Sequence, residues 1–188
     1  MKKNYKIIFY IYLFINLLTF DLNSSEIYHK NKLEKYFVEL KNSKNSEQAI
    51  DIENNIWKLW VLHPNNELLT DKLELGTELM ENGQHKYAYT IFTNIIFEDP
   101  NWSEAWNKRA TVLFLMNKYD LSLKDIEKTL DLEPRHFGAL SGRARIYIQQ
   151  QEYEKALENL IKTKKIYPLS SGSEIISRLE KILNIEEI

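Results

Sequence analysis

The sequence predicts an all-α fold: a solenoid of stacked helical hairpins, preceded by an irregular helical pair and closed by one end helix. Three observations carry that prediction. Pro100, Pro134 and Pro168 stand 34 residues apart. The same lattice of small and large residues precedes each of them. No strand pattern is evident anywhere in the chain.

The first copy of the lattice reads Lys72-x2-Leu75-Gly76-x2-Leu79, then Ala88-x3-Phe92, Ile95 and Pro100. The second reads Trp106-x2-Arg109-Ala110-x2-Leu113, then Ser122-x3-Ile126, Thr129 and Pro134. The third reads Leu140-x2-Arg143-Ala144-x2-Tyr147, then Ala156-x3-Leu160, Thr163 and Pro168. This period and pattern are those of a helix–turn–helix repeat. Over residues 69–168 the chain resembles the tetratricopeptide repeat (TPR) family. The resemblance implies a TPR-type α-solenoid, a right-handed superhelix with repeats at 69–102, 103–136 and 137–168. It also implies a binding scaffold.

The physics of the lattice is that no single hairpin can bury its apolar stripe, so neighbours stack. Gly76, Ala110 and Ala144 on the first helices, and Ala88, Ser122 and Ala156 on the second, are short side chains where axes must approach to 8–10 Å. Leu79, Trp106, Leu113, Tyr147, Tyr87, Phe92, Tyr119, Ile126, Tyr153 and Leu160 are expected to fill the spaces between. The Ser122 hydroxyl is expected to bond the carbonyl four residues back. Each proline ends a second helix by pushing its predecessor out of helical geometry. Gly83 separates the first pair of helices through left-handed backbone. Asn101 with Glu104, and Ser171 with Glu174, read as capping boxes, while Arg135 is a poor cap.

Ahead of the repeats, residues 26–66 read as a helical pair, 26–41 and 47–62, separated by the breaker Asn42-Ser43-Lys44-Asn45-Ser46 with Ser46 as N-cap. Pro64 follows it, 36 residues before Pro100, so the pair reads as a degenerate repeat or an N-terminal cap. Trp57 and Trp60 share a helix face. Core packing against the first true repeat is the favoured role for them, an exposed partner patch the alternative. Residues 169–188 read as a solubilising end helix, with Ile175, Leu179, Ile182 and Leu183 on its packed side.

The first 25 residues read as an address. Lys2, Lys3 and Lys6 precede an apolar run from Ile7 to Phe20, and Asn23-Ser24-Ser25 follow, the order of a secretory signal peptide. Fourteen residues of helix span about 21 Å, short of the ~30 Å hydrocarbon core, so a retained membrane anchor is the second reading. Both place the repeats outside the cytoplasm, which in a bacterium is the periplasm.

Composition excludes several chemistries. The absence of cysteine rules out disulfides and thiolate metal sites, and a net charge of -2 gives no basic field for nucleic acid. His29, His63, His85 and His136 show no metal-ligand spacing, and no phosphate loop or nucleophile elbow is present. The expectation is a non-enzymatic scaffold with no cofactor, no metal and no small-molecule substrate. Its partner would be a protein or extended peptide, with contact to a membrane only if the N-terminal segment is retained.

TPR proteins hold peptides in the concave groove of their first helices. The resemblance carries that role to Leu73, Thr77 and Met80, to Asn107, Thr111 and Phe114, and to Ser141, Arg145 and Ile148, with Lys108 beside them. A clamp for a C-terminal carboxylate would fall on Leu73, Thr77, Lys108, Gly138 and Gly142, of which only Lys108 is basic, so that clamp is not expected. Arg109 and Arg143 recur 34 residues apart where the family is usually apolar. They either grip an external carboxylate or phosphate, or lay their stems over apolar surface and pair with Asp131 or Glu133.

Overall fold

The computed structural model describes residues 25–184, so the segment read as an export signal and residues 185–188 lie outside the described residues. Among the described residues nine helices follow one another: α1 over 25–41, then α2 (Ser46–Val61), α3 (Glu67–Glu81), α4 (His85–Glu98), α5 (Ser103–Leu115), α6 (Tyr119–Leu132), α7 (Phe137–Gln149), α8 (Tyr153–Ile166) and α9 (Ser173–Ile182). No strand occurs among the described residues. The hairpins α3–α4, α5–α6 and α7–α8 pack within themselves and then stack in order through α4 on α5, α6 on α7 and α8 on α9. The first helices also touch each other, α3 to α5 and α5 to α7, whereas no two second helices approach as closely along their length. The first helices are therefore the inner, concave wall of an all-α TPR-type solenoid.

The second helices end at Glu98, Leu132 and Ile166. The residues before the prolines, Asp99, Glu133 and Tyr167, take φ of -137°, -136° and -129°, the extended backbone a following proline ring demands. Inside each hairpin the chain turns through one left-handed residue, Gly83 at φ 75°, Asn117 at 58° and Gln151 at 60°. The next amide then donates five residues back, Gln84 to Leu79, Lys118 to Leu113 and Glu152 to Tyr147, each at 2.8 Å. Only the first turn uses glycine.

The small positions are where the helices meet. A Cβ on Gly76 would stand 2.6 Å from Phe92 Cε1. Ala88, Ala110, Ala144 and Ala156 are buried. Ser122 is buried too, but its hydroxyl donates across the hairpin to the Ala110 carbonyl at 2.7 Å rather than back along its own helix. Tyr87, expected in the core, is 68% exposed.

Several end signals work differently from the sequence expectation. Asn45, not Ser46, caps α2, its side chain accepting the Gln48 amide. Neither capping box forms: α5 starts after Trp102 and α9 after Gly172, both without a side-chain cap. Glu104 is instead buried and bonded to other side chains. His136 supplies the cap for α7 that Arg135 does not, Nδ1 accepting the Ala139 amide at 3.1 Å. In α9 the packed side is Ile176, Leu179 and Leu183, while Ile175 and Ile182 face solvent.

The N-terminal pair lies across the turns of the array. α2 packs against α5, and its last residue, Val61, reaches the core of the first hairpin. Leu33, Phe37, Leu40, Ile52, Ile56, Leu59 and Trp60 form one cluster with Phe137 and Tyr167, the start and the end of the third repeat. Trp60 stacks on His136 at 3.9 Å and 8°, and Trp57 meets Phe137 edge-on at 5.4 Å. The tryptophans thus pack, but on the third repeat and not the first. Glu34 of α1 reaches Arg135 at 2.8 Å, and the Trp102 indole donates to the Trp60 carbonyl at 2.9 Å. Because no hairpin stacks on α3 from the N-terminal side, Leu75 is left exposed.

Candidate functional site

The concave wall divides into two regions of different chemistry. Between α5 and α7 is a cleft of about 200 Å³, lined by Asn107, Ala110, Thr111, Phe114, Ser122, Ile126, Gly138, Ala139, Ser141, Gly142, Arg145 and Ile146. Five sequence-predicted groove residues meet there: Asn107, Thr111, Phe114, Ser141 and Arg145. The floor is apolar, made by Ala110, Ile126 and Ile146, which are buried. Thr111, Ser141 and Arg145 stand exposed at the rim. The lining contains no carboxylate and one cation. The Arg145 guanidinium lies 5.9 Å from the Phe114 ring centroid.

The second region runs along α3. Val61, Leu73, Leu75, Thr77 and Lys108 share it with Asp71, Glu74, Glu78 and Glu81. None of those four acids forms an ion pair among the described residues. Leu73 is 1% exposed and belongs to the core of the first hairpin, so it is floor and not contact surface. Met80 packs against that same core, and Ile148 packs towards α8 and α9. Neither lines the α5–α7 cleft.

Lys108 and Asn107 are tied into a network that the sequence did not announce. Glu104 is completely buried, and its carboxylate accepts from His136 Nε2 at 2.9 Å and from Asn107 Nδ2 at 3.2 Å. The Lys108 ammonium stands 3.7 Å away. A buried carboxylate is tolerable only with such partners. Since His136 Nδ1 accepts the Ala139 amide, Nε2 carries the proton given to Glu104. The one basic residue at a tail-clamp position is therefore engaged from within. Nothing in the spacing of residues 60, 104 and 136 places them together, so the sequence carries no signal for this network.

Arg109 and Arg143 are structural. Arg109 donates to Asp125 through Nε at 2.7 Å and Nη2 at 2.8 Å, and to Thr93 of the preceding hairpin at 3.3 Å. Its guanidinium lies over Trp106 at 4.9 Å. Burial works against its charge, but the Asp125 carboxylate outweighs that and raises the pKa above the ordinary arginine value. Arg143 donates to Asn159 at 2.6 Å. Both partners lie on the second helix of the same hairpin, so the pairing expected with Asp131 or Glu133 is not formed; Glu133 binds Arg135 at 2.9 Å. Tyr167 is pushed up to about 12 by burial, with the Glu53 carboxylate adding to the shift. Among the described residues no group of three or more histidines and acids is placed to hold a metal ion.

No protein-family model matches the chain. A TPR repeat-containing protein of Rhizobium etli is 32% identical over 139 residues, 74% of this chain and 68% of that protein. The chain belongs to the tetratricopeptide repeat family. Rat sperm-associated antigen 1 is 28% identical over 60% of this TPR chain, which spans 12% of its length. Among solved structures, the first TPR of Spaghetti (RPAP3) bound to the HSP90 peptide SRMEEVD has a TM-score of 0.60 at 18% identity, covering 63% of this chain and 94% of that one. The Yersinia enterocolitica type III secretion chaperone SycD, in complex with a peptide of the translocator YopD, has a TM-score of 0.55 at 16% identity, covering 63% of this chain and 92% of that one. These two likenesses show the TPR fold.

Proposed function

We propose that this TPR protein is a non-enzymatic scaffold that holds a protein or peptide segment on its concave wall, and that it works in the bacterial envelope. The observation that carries the binding role is the α5–α7 cleft, an apolar floor with a polar rim on the inner face of a stacked array. Such a surface recognises by preformed shape and donors rather than by covalent chemistry. Two proteins of the same fold are described with peptides, SRMEEVD in one and a YopD segment in the other. The envelope setting rests on the order basic, apolar, small-polar in residues 1–25. No helix among the described residues is long and apolar enough to cross a membrane.

A photoreactive residue at position 114 tests the groove in cells, with one at the exposed position 121 on α6 as the control. Capture from 114 that disappears with Arg145→Glu supports the groove. Equal capture from both positions, or capture indifferent to Arg145→Glu, sinks it. Sequencing the mature N-terminus separates export and release, starting near Ser25 or Glu26, from a retained anchor.

A further inference from the structure

We infer that the α5–α7 cleft is a side-chain pocket for a short motif in which one apolar side chain is flanked by a carboxylate: the side chain enters the cleft and the carboxylate bonds Arg145. This rests on the groove reading and specifies its ligand.

The pocket exists because α7 carries glycine where its neighbours carry side chains. At Gly142 an added Cβ would meet nothing closer than Ile126 Cδ1 at 3.9 Å, so the space above the floor is open. At Gly138, one turn earlier, the equivalent space is taken: Trp57 Cη2 would lie 2.6 Å from a Cβ there. The N-terminal pair thus closes one end of the cleft and leaves the Gly142 end accessible. The floor of Ala110, Ile126 and Ile146 with the Phe114 wall offers apolar contact, and the buried Asn107 amide and Ser122 hydroxyl in the lining already donate to Glu104 and to the Ala110 carbonyl, which suits an aliphatic or aromatic side chain better than a buried polar one.

The rim selects the charge. Among the arginines of the described residues, Arg109, Arg135, Arg143 and Arg178 each have a hydrogen-bonded side-chain partner, and Arg145 has none among the described residues. It stands over Phe114 at the cleft mouth, with no acid in the lining to neutralise it. A planar guanidinium so placed matches a carboxylate through paired N–H donors. A long acidic tail is a poor occupant, because Lys108 is held by Glu104 and the α3 end of the wall carries Asp71, Glu74, Glu78 and Glu81. The ligand's acid therefore belongs beside the anchor.

The test is an NMR titration of the full chain with acetyl-Asp-Phe-Asp-amide, which places an acid on either side of the anchor. Acetyl-Asn-Phe-Asn-amide and acetyl-Asp-Ala-Asp-amide are the comparison probes. Saturable shifts at the amides of Thr111, Ser141 and Gly142 are expected for the first, with affinity about tenfold lower for each of the others. Arg145→Gln should bring the Asp/Asn ratio to about one. Gly142→Leu should abolish binding while the amide spectrum of α3 and α4 stays unchanged; leucine is the better helix former, so loss of fold is not the expected cause. Binding that survives Gly142→Leu, an Asp/Asn ratio unmoved by Arg145→Gln, or no saturable shift with any probe overturns the inference. If the probes fail while capture from position 114 still depends on Arg145, the groove stands and only this pocket assignment falls.

Discussion

The second and third repeats solve the same packing problem with different chemistry. In the second, Arg109 forks onto the Asp125 carboxylate and reaches Thr93 of the hairpin before it. In the third, Arg143 meets the neutral amide of Asn159 through one bond of 2.6 Å. The two arginines hold equivalent positions and so do their partners, sixteen residues on. The first repeat has Leu75 there, exposed because nothing stacks before it. The difference teaches that this position is a joint between hairpins. A charge is acceptable at a joint when a carboxylate neutralises it, and in the third repeat Arg143 forms no ion pair among the described residues, the Glu158 carboxylate acting on it only through space. The same contrast holds before the prolines, where Glu133 binds Arg135 but Tyr167 packs into the N-terminal cluster.

The largest effect should come from breaking the neutralised joint. Asp125→Ala strands a half-buried guanidinium and should cost about 3 kcal/mol, whereas Asn159→Ala should cost about 1 kcal/mol. Urea titrations of both variants decide it, and equal losses would erase the distinction between the repeats. Next comes the tyrosine before the third proline. Its pKa of about 12 lies above the unfolded value of 10.0, so the folded chain holds the proton longer. Its contribution, about 2 kcal/mol, should be intact below pH 10 and decline as pH rises towards 12. Tyr167→Phe should flatten that part of the stability profile.

Smaller effects should come from repairing the third repeat. Asn159→Asp recreates the carboxylate of the second and should add about 1 kcal/mol, a gain that shrinks with salt. A thermal melt that moves downward would mean the joint cannot accept the fork. Gln151→Gly relieves a left-handed glutamine at the position Gly83 holds in the first repeat, and should add about 0.5–1 kcal/mol. Gly83→Ala should lose a similar amount, read from the same melts.

Much of the fold was legible because it is local and repeated. Pro100, Pro134 and Pro168 end helices through contact with the residue before them, and Gly76 sits where Phe92 leaves no room for a Cβ. That Asn107, Thr111, Phe114, Ser141 and Arg145 meet in one cleft follows from the same repetition, since a period of 34 puts equivalent faces on one wall. The caps were misread where a side chain had a better distant partner. Glu104 could have closed a capping box, but a buried carboxylate gains more from His136, Asn107 and Lys108. Leu73 and Tyr87 were assigned by register alone, and register does not say how far a neighbouring helix covers a face.

What the chain determined by itself was the hairpin, its turn and its stacking order, all set by contacts between residues close in sequence. Tertiary structure alone decided where the N-terminal pair lies. Trp60 finds His136 and Phe137 across the turns of the array, not α3 beside it. That choice closes the cleft at Gly138, leaves it open at Gly142 and exposes Leu75. No periodicity encodes it, because apolar side chains attract any apolar surface, and only the assembled solenoid presents the one that fits.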